Sequence, residues 1–195
     1  MTTDTPRRLV IGISGASGAI YGIRMLELLR GTDIETHLVI SRSAEMTLAY
    51  ETDFTTKDVR ALATVNHPNS DIGANISSGS FRTMGMVVAP CSIKTMSEIA
   101  TGVTSSLLSR AADVVLKERR RLVLAVRETP LHTGHLRTMT ALSEMGAIIA
   151  PPVPAFYAQP QSLEEMVDHT LGRLLDLFGI DTAVVKRWQG GREEE

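Results

Sequence analysis

The residues best suited to chemistry are serines, glycines and a few charged side chains placed where short apolar runs end, and together they suit the binding of an anion. Residues 9–22 read Leu-Val-Ile-Gly-Ile-Ser-Gly-Ala-Ser-Gly-Ala-Ile-Tyr-Gly. An apolar run breaks into small residues, and a helical pattern begins at Ala19. Strand, small-residue loop and helix in that order build an anion cradle, because N–H groups at the helix start point at the ligand and glycines let it come close. Ser14 and Ser17 add hydroxyl donors that could bind a phosphate. A phosphorylated cofactor or substrate is the expected ligand; a tight turn of small residues with no ligand is the alternative. The spacing Gly12-x-x-Gly15-x-x-Gly18 meets the dinucleotide fingerprint only loosely, and no Gly-Lys-Ser/Thr ending marks a triphosphatase loop. The next apolar run, Glu35 to Ile40, ends in Ser41-Arg42 rather than in the acid that grips a ribose diol, which favours a mononucleotide.

Three further constellations stand at similar places. Pro90-Cys-Ser-Ile-Lys-Thr95 follows an apolar run and opens a helix, with Ser92, Lys94 and Thr95 as donors; an ordinary cap at Ser92 is the simpler reading of it alone. Arg127-Glu128 is either a surface ion pair or part of a site. Lys117-Glu-Arg-Arg-Arg121 reads mostly as a solvated helix end favoured by the dipole, with one member free to reach a phosphate. Arg110 and Arg173 lie in apolar helical patterns, as snorkelling side chains or as ligand clamps. His132 and His135 lack a third partner, so no metal site is expected. Cys91 reads as a small buried hydrophobe rather than a nucleophile.

The elements that must position these residues alternate. Strand-like runs occur at Leu9–Ile13, His37–Ile40, Met86–Ala89, Leu122–Val126 and Ala147–Ala150, short and apolar as strands covered on both faces are. Helical patterns fall at Ala19–Arg30, Ser43–Tyr50 (with Ser43 as cap), Ser92–Thr101, Ser105–Lys117, Thr133–Glu144 and Ser162–Phe178, the last with Ser162 and Glu165 as a capping box. The expected fold is a three-layer α/β/α domain over residues 1–195, a mostly parallel sheet with helices on both faces. Ligands in such sheets lie beyond the carboxyl ends of the strands, so Ser14–Gly18, Ser41–Arg42, Pro90–Thr95 and Arg127–Pro130 should converge. Asn66–Phe81 reads as one long polar loop, and Ala150–Gln161, with four prolines, as a rigid extended arm presenting Phe156 and Tyr157.

Composition narrows the class. The chain has 195 residues, 43% of them hydrophobic, with a net charge of −2 and one cysteine. That charge offers no global basic field for nucleic acid. No apolar run is long enough to span a membrane, and the polar start carries no signal peptide. A single cysteine excludes an internal disulfide, and a reduced cytoplasm is the expected location. Residues 1–7 and 190–195 are expected to be disordered.

Several segments together resemble the flavin prenyltransferases, the UbiX and Pad1 group. They are Gly15-Ala-Ser-Gly-Ala19, Tyr50-Glu-Thr-Asp53, Ile76-Ser-Ser-Gly-Ser-Phe81, Ala89-Pro-Cys-Ser-Ile-Lys-Thr95, Arg110-Ala-Ala-Asp-Val-Val-Leu-Lys-Glu118, Leu122-Val-Leu-Ala-Val-Arg-Glu-Thr-Pro130 and Pro154-Ala-Phe-Tyr-Ala-Gln-Pro160, with Trp188 where these proteins carry a late Arg-Trp. The resemblance runs nearly the whole chain in order. It implies a Rossmann-like (flavodoxin-like) fold assembled into a homododecamer that alkylates reduced FMN with dimethylallyl phosphate, at N5 and then C6, without a metal. The product, prenylated FMN, is the cofactor of UbiD-type decarboxylases. By position, the resemblance puts Gly15, Ala16, Ser17, Ser41, Ser92, Ile93, Lys94, Thr95 and Arg127 on FMN. It puts Tyr157, Arg173 and Lys117 on the prenyl phosphate, and Ser17, Glu51 and Glu128 in catalysis, with Glu51 and Arg127 acting across subunits. Ser17 would relay a proton to Glu128 or a phosphate oxygen. Around Leu131–Arg137 the chain departs from the usual run at Gly134 and Arg137, and near Asp71–Asn75 Ile72 is the expected substitute for a pocket tryptophan. A cysteine decarboxylase of the same fold would carry a Pro-Ala-Ser-Ala-Asn-Thr type segment in place of residues 90–95, and a plain flavin carrier would not need Lys117, Tyr157 and Arg173.

Overall fold

The computed structural model describes residues 6–190. Of the ends expected to be disordered, 1–5 and 191–195 lie outside the described residues, whereas Arg7 already belongs to the first strand. Six parallel strands form one sheet in the order β3-β2-β1-β4-β5-β6. In chain order these are β1 (Arg7–Ile13), β2 (Ile34–Ile40), β3 (Val65–His67), β4 (Gly85–Cys91), β5 (Arg121–Val126) and β6 (Ile148–Ile149). The helices are α1 (Ala19–Leu29), α2 (Arg42–Glu51), α3 (Thr56–Leu62), α4 (Ile93–Thr101), α5 (Leu107–Lys117), α6 (Thr133–Glu144) and α7 (Leu163–Asp176). Among the described residues, no helix is long and apolar enough to cross a membrane.

Alternation along the strands builds two cores. Leu9, Ile11, Ile13, Leu38, Ile40, Val87 and Ala89 pack under α1, α2, α3 and α7. Their neighbours Val10, Val39, Met86, Val88, Leu122 and Leu124 pack under α4, α5 and α6. Both faces of the central strands are therefore dry, which is why those strands read as unbroken apolar runs. The expected three-layer architecture is the observed one.

Several local readings are corrected. The long loop expected from Asn66 begins inside β3, a three-residue edge strand, and α3 precedes it with a capping box of Thr55 and Asp58. Helix α2 is capped by Ser41, whose hydroxyl accepts Ala44 N–H at 3.1 Å, not by Ser43. At α7 Ser162 accepts Glu165 N–H, but the Glu165 carboxylate takes the N–H of Gln161 instead of Ser162, so the box is half formed. Strand β4 continues through Pro90 to Cys91, in a stretch where its pairing with β5 is irregular between Val88 and Cys91 and the missing N–H breaks no regular ladder. Helix α6 starts as expected at Thr133, with the ring of His132 as its cap, accepting Gly134 N–H at 3.0 Å.

Candidate functional site

The four segments expected to converge do so, through the backbone. Ser14, 1% exposed, donates its hydroxyl to Pro90 O at 2.9 Å and accepts Ser92 N–H at 2.8 Å. Ser41 N–H donates to Ile13 O and Arg127 N–H to Cys91 O, each at 3.0 Å. Ser14, read from the sequence as a phosphate donor, is instead the stitch between the first and third of these segments. A buried hydroxyl with both roles filled has little left for a ligand.

These contacts bring the starts of α2 and α4 to one cleft of about 360 Å³. Gly15, Ser41, Ser92, Ile93, Lys94 and Thr95 line it, as does Glu128. Helix geometry leaves the first-turn amides of Arg42, Ser43, Ile93 and Lys94 without intrahelical acceptors. Two positive helix ends at one cleft suit a phosphate with its ester hydroxyls nearby. Gly15 is required here, since a Cβ at that position would overlap the Cβ of Ser43. Lys94 pairs with Glu98 at 3.0 Å and is otherwise open to solvent. Asn69, Ser106, Ser43 and Glu98 also line the cleft and were not anticipated; Arg42 lines it too, from the expected Ser41–Arg42 segment. The Ser106…Ser109 capping pattern was a readable signal for one of them. Asn69 has none, because its place depends on its bonds to the Leu107 and Leu108 amides of α5.

The start of α1, first read as the phosphate cradle, is already filled. Glu51 Oε2 accepts Gly18 N–H at 2.7 Å and Ala19 N–H at 3.1 Å. Gly18 serves as the turn, at φ 101°. Burial pushes the Glu51 carboxyl up, but the Ser17 hydroxyl, these two amides and the Arg127 charge outweigh it and hold the group below the usual carboxylate range. Burial raises Tyr21 despite the same Arg127. Ser17, Glu51 and Arg127 thus stand together within one chain. Ala16 lies on the same loop. The carboxylate beside Ser17 is Glu51; Glu128, the expected end of its relay, takes its own neighbour's Thr129 N–H.

Lys117, Tyr157 and Arg173 are not brought to this cleft. Lys117 ends α5 and Arg173 lies in the last turn of α7, both at the amino-terminal edge of the sheet. The cleft is at the carboxyl edge, and a seven-residue strand such as β1 separates the two by roughly 20 Å. Tyr157 rests over the middle of α7, its ring edge-on to His169 at 5.7 Å. All three side chains are exposed, as is Ile72, which lines no part of the cleft. Cys91 is fully buried and its thiol is pushed up to about 12, so it is no nucleophile. Among the described residues, no group of three or more His, Cys, Asp and Glu side chains is placed to hold a metal.

Known proteins share this fold. The profile of the Flavoprotein family matches residues 1–185. The flavin prenyltransferase UbiX of Escherichia coli (strain K12) is 62% identical over 187 residues, covering 94% of this chain and 99% of that protein. A crystal structure of AnUbiX (PadA1) in complex with FMN and dimethylallyl pyrophosphate superposes with a TM-score of 0.94 at 52% identity, over 96% of this chain and 100% of that one. A dodecameric FMN-dependent UbiX-like decarboxylase from Escherichia coli O157:H7 superposes with a TM-score of 0.92 at 49% identity, over 94% and 100%. With its fold and nearly its whole length matched, the chain belongs to the flavoprotein family, among the flavin prenyltransferases of the UbiX group.

Proposed function

We propose that this protein transfers a dimethylallyl group from dimethylallyl phosphate to reduced FMN and so makes prenylated FMN. The observation that carries the reading is the convergence of two helix starts on one cleft, which Gly15 of the Ser17 loop also lines. The donor set fits FMN. Free amides of α2 and α4 suit its phosphate, and Ser41, Ser92, Lys94 and Thr95 suit the phosphate and the polyol chain. When bound and reduced, the flavin supplies the nucleophilic ring atoms.

The protein's residues then have defined tasks. Glu51 fixes the Ser17 loop, and Arg127 adds a positive charge beside it. Arg173, Lys117 and Tyr157 present cations and a hydroxyl to the phosphate, where negative charge grows as the C–O bond breaks. Glu128 at the cleft, or the departing phosphate itself, accepts the ring proton that is lost. Exclusion of water protects the allylic cation.

One chain separates the flavin set from the prenyl-phosphate set, so a homo-oligomer must join them, with Lys117, Tyr157 and Arg173 delivered by another copy. The dodecamer of the Escherichia coli relative supports a dodecamer here. The product would pass to a UbiD-type decarboxylase. One domain over the whole chain and a cytoplasmic location complete the reading, the latter supported by a composition that leaves no internal disulfide to form.

The cysteine decarboxylase and carrier readings are not favoured. Residues 90–95 are Pro-Cys-Ser-Ile-Lys-Thr, and the chain is 62% identical to a prenyltransferase. Anaerobic incubation with reduced FMN and dimethylallyl phosphate should give a flavin heavier by one prenyl unit. Mass spectrometry finding only unmodified FMN, with the protein folded, would overturn the proposal. A parallel reaction with the diphosphate tests the donor.

A further inference from the structure

The segment from Asp181 to Trp188 has no regular secondary structure, yet it is tied along α7, the helix that carries Arg173. Asp176, the last residue of α7, accepts Arg173 Nη1 on Oδ2 at 2.6 Å. The same carboxylate receives Arg187 through both oxygens, Nη1 on Oδ2 and Nη2 on Oδ1, each at 2.9 Å. Asp176 is the sheltered member, with its side chain 17% exposed against 54% for Arg173 and 49% for Arg187. Upstream, His169 Nε2 meets Lys186 O at 3.3 Å. Gly172 leaves room for Val184 and Val185 to lie on the helix. Downstream, the Trp188 ring packs edge-on to Tyr157 at 5.7 Å. One strap therefore touches the neighbourhoods of both Arg173 and Tyr157.

The charges matter more than the tether. A lone Asp176 would neutralise Arg173 and spoil it as an anion site. Arg187 spends both oxygens of that carboxylate in a bidentate fork. Asp176 then holds Arg173 by a single N–H, and four of its five donors remain for a ligand. The group Arg173, Asp176 and Arg187 keeps one net positive charge at an exposed surface. Asp181, 3.6 Å from Arg187 on its far side, trims this only at the rim.

We propose that Arg187 and Asp176 are positioning residues for the prenyl phosphate: Asp176 aims Arg173, and Arg187 cancels the Asp176 charge so that Arg173 meets the phosphate as an uncompensated cation. The inference rests on the prenyl-transfer reading and gives the C-terminal strap a role in it.

The test is a pair of variants in the full-length, FMN-loaded protein, with dimethylallyl phosphate binding measured by calorimetry alongside steady-state kinetics. R187A should weaken that binding and raise its KM about tenfold, with FMN affinity unchanged. Adding D176N to R187A removes the carboxylate left unpaired, and should bring binding and KM back towards the parent. A purely structural strap would give the opposite, a double variant weaker than R187A. R187A binding the phosphate within twofold of the parent, or a double variant worse than R187A, overturns the inference alone. A parent protein that neither binds dimethylallyl phosphate nor forms prenylated flavin overturns the functional reading and this inference with it.

Discussion

Glu51 Oε2 accepts the backbone N–H of Gly18 at 2.7 Å, so the anion at the start of α1 is the protein's own. Glu51 is the final residue of α2, and its carboxylate ties the end of that helix to the start of another. A carboxylate there interacts favourably with the helix dipole and satisfies two amides that would otherwise need water. The loop that looked like a phosphate cradle is thereby held in one shape. The starts of α2 and α4 keep their first amides free of side-chain acceptors, and they are the ones at the cleft.

The first prediction concerns this contact. E51Q keeps the size of the side chain and one acceptor but loses the charge, and should cost about 1 kcal/mol at pH 7. The folded carboxyl titrates below its free value of 4.5. The charge therefore contributes its stability above about pH 4.5 and loses it as pH falls through the lower folded value. Thermal melts of parent and E51Q should differ at pH 7 and converge in acid. A gap that stays constant down to pH 3 would remove the charge from the account.

Gly15 offers a steric test. G15A places a methyl group against the Ser43 Cβ, and the start of α2 must move away. Overpacking of this kind typically costs about 1–3 kcal/mol. The displaced element lines the cleft, so FMN affinity should fall at least tenfold, beyond what the stability loss explains. Fluorescence titration with FMN at a temperature where the variant is folded is the measurement. Unchanged affinity would mean that the α2 start takes no part in binding.

The sheet was readable because strands dry on both faces are unbroken apolar runs, and the site was readable because parallel sheets put ligands at strand ends. Both signals fail at edges and over long reach. Strand β3 is only Val-Asn-His, half covered, and α3 buries little beyond Val59. Asn69 reaches the cleft through its bonds to α5, far along the chain. Ser14 and Ser17 look alike in sequence, yet one is a buried stitch and the other an exposed hydroxyl, a difference set by which way the loop turns. The separation of Lys117 from the cleft was in principle legible, since a helix between parallel strands must end at the amino-terminal edge, whereas α7, with Arg173, follows the last strand and carries no such signal. Matching by position alone hides that geometry.

A second pH effect should come from the far side of the sheet. His37, 1% exposed, bonds Glu35 Oε1 at 2.7 Å through Nε2 and His67 Nε2 at 3.0 Å through Nδ1, with the Phe81 ring edge-on at 5.2 Å. Burial pushes both imidazoles down. Glu35 opposes this at His37, where Arg8 adds to it, and Asp71 opposes it at His67. An unfolded histidine takes a proton near pH 6.5 that the folded one refuses, so stability is full above that pH and falls as the solution is acidified towards the folded values. H37Q, which keeps a donor for Glu35, should melt lower at pH 7.5 but lose less between pH 7 and 5. Parallel curves for parent and variant would assign the acid sensitivity elsewhere.

Ser17 should separate binding from turnover. Its hydroxyl lies beside the Glu51 carboxylate, while the amides and hydroxyls proposed to hold FMN belong to the starts of α2 and α4. S17A removes one hydroxyl and leaves the Gly18 and Ala19 amides on Glu51, so the loop keeps its shape. FMN affinity should stay within a few fold of the parent. The chemical step should slow by about 10²–10⁴, the usual worth of a positioned proton-transfer group. Glu51 is held ionised at neutral pH and is a weak base, so its part is to orient the hydroxyl, and E51Q should slow the reaction less than S17A. Single-turnover formation of prenylated flavin, read by mass, isolates that step from product release. Parent-like rates in S17A would exclude the hydroxyl from proton movement, and a larger loss in E51Q than in S17A would transfer the role to the carboxylate.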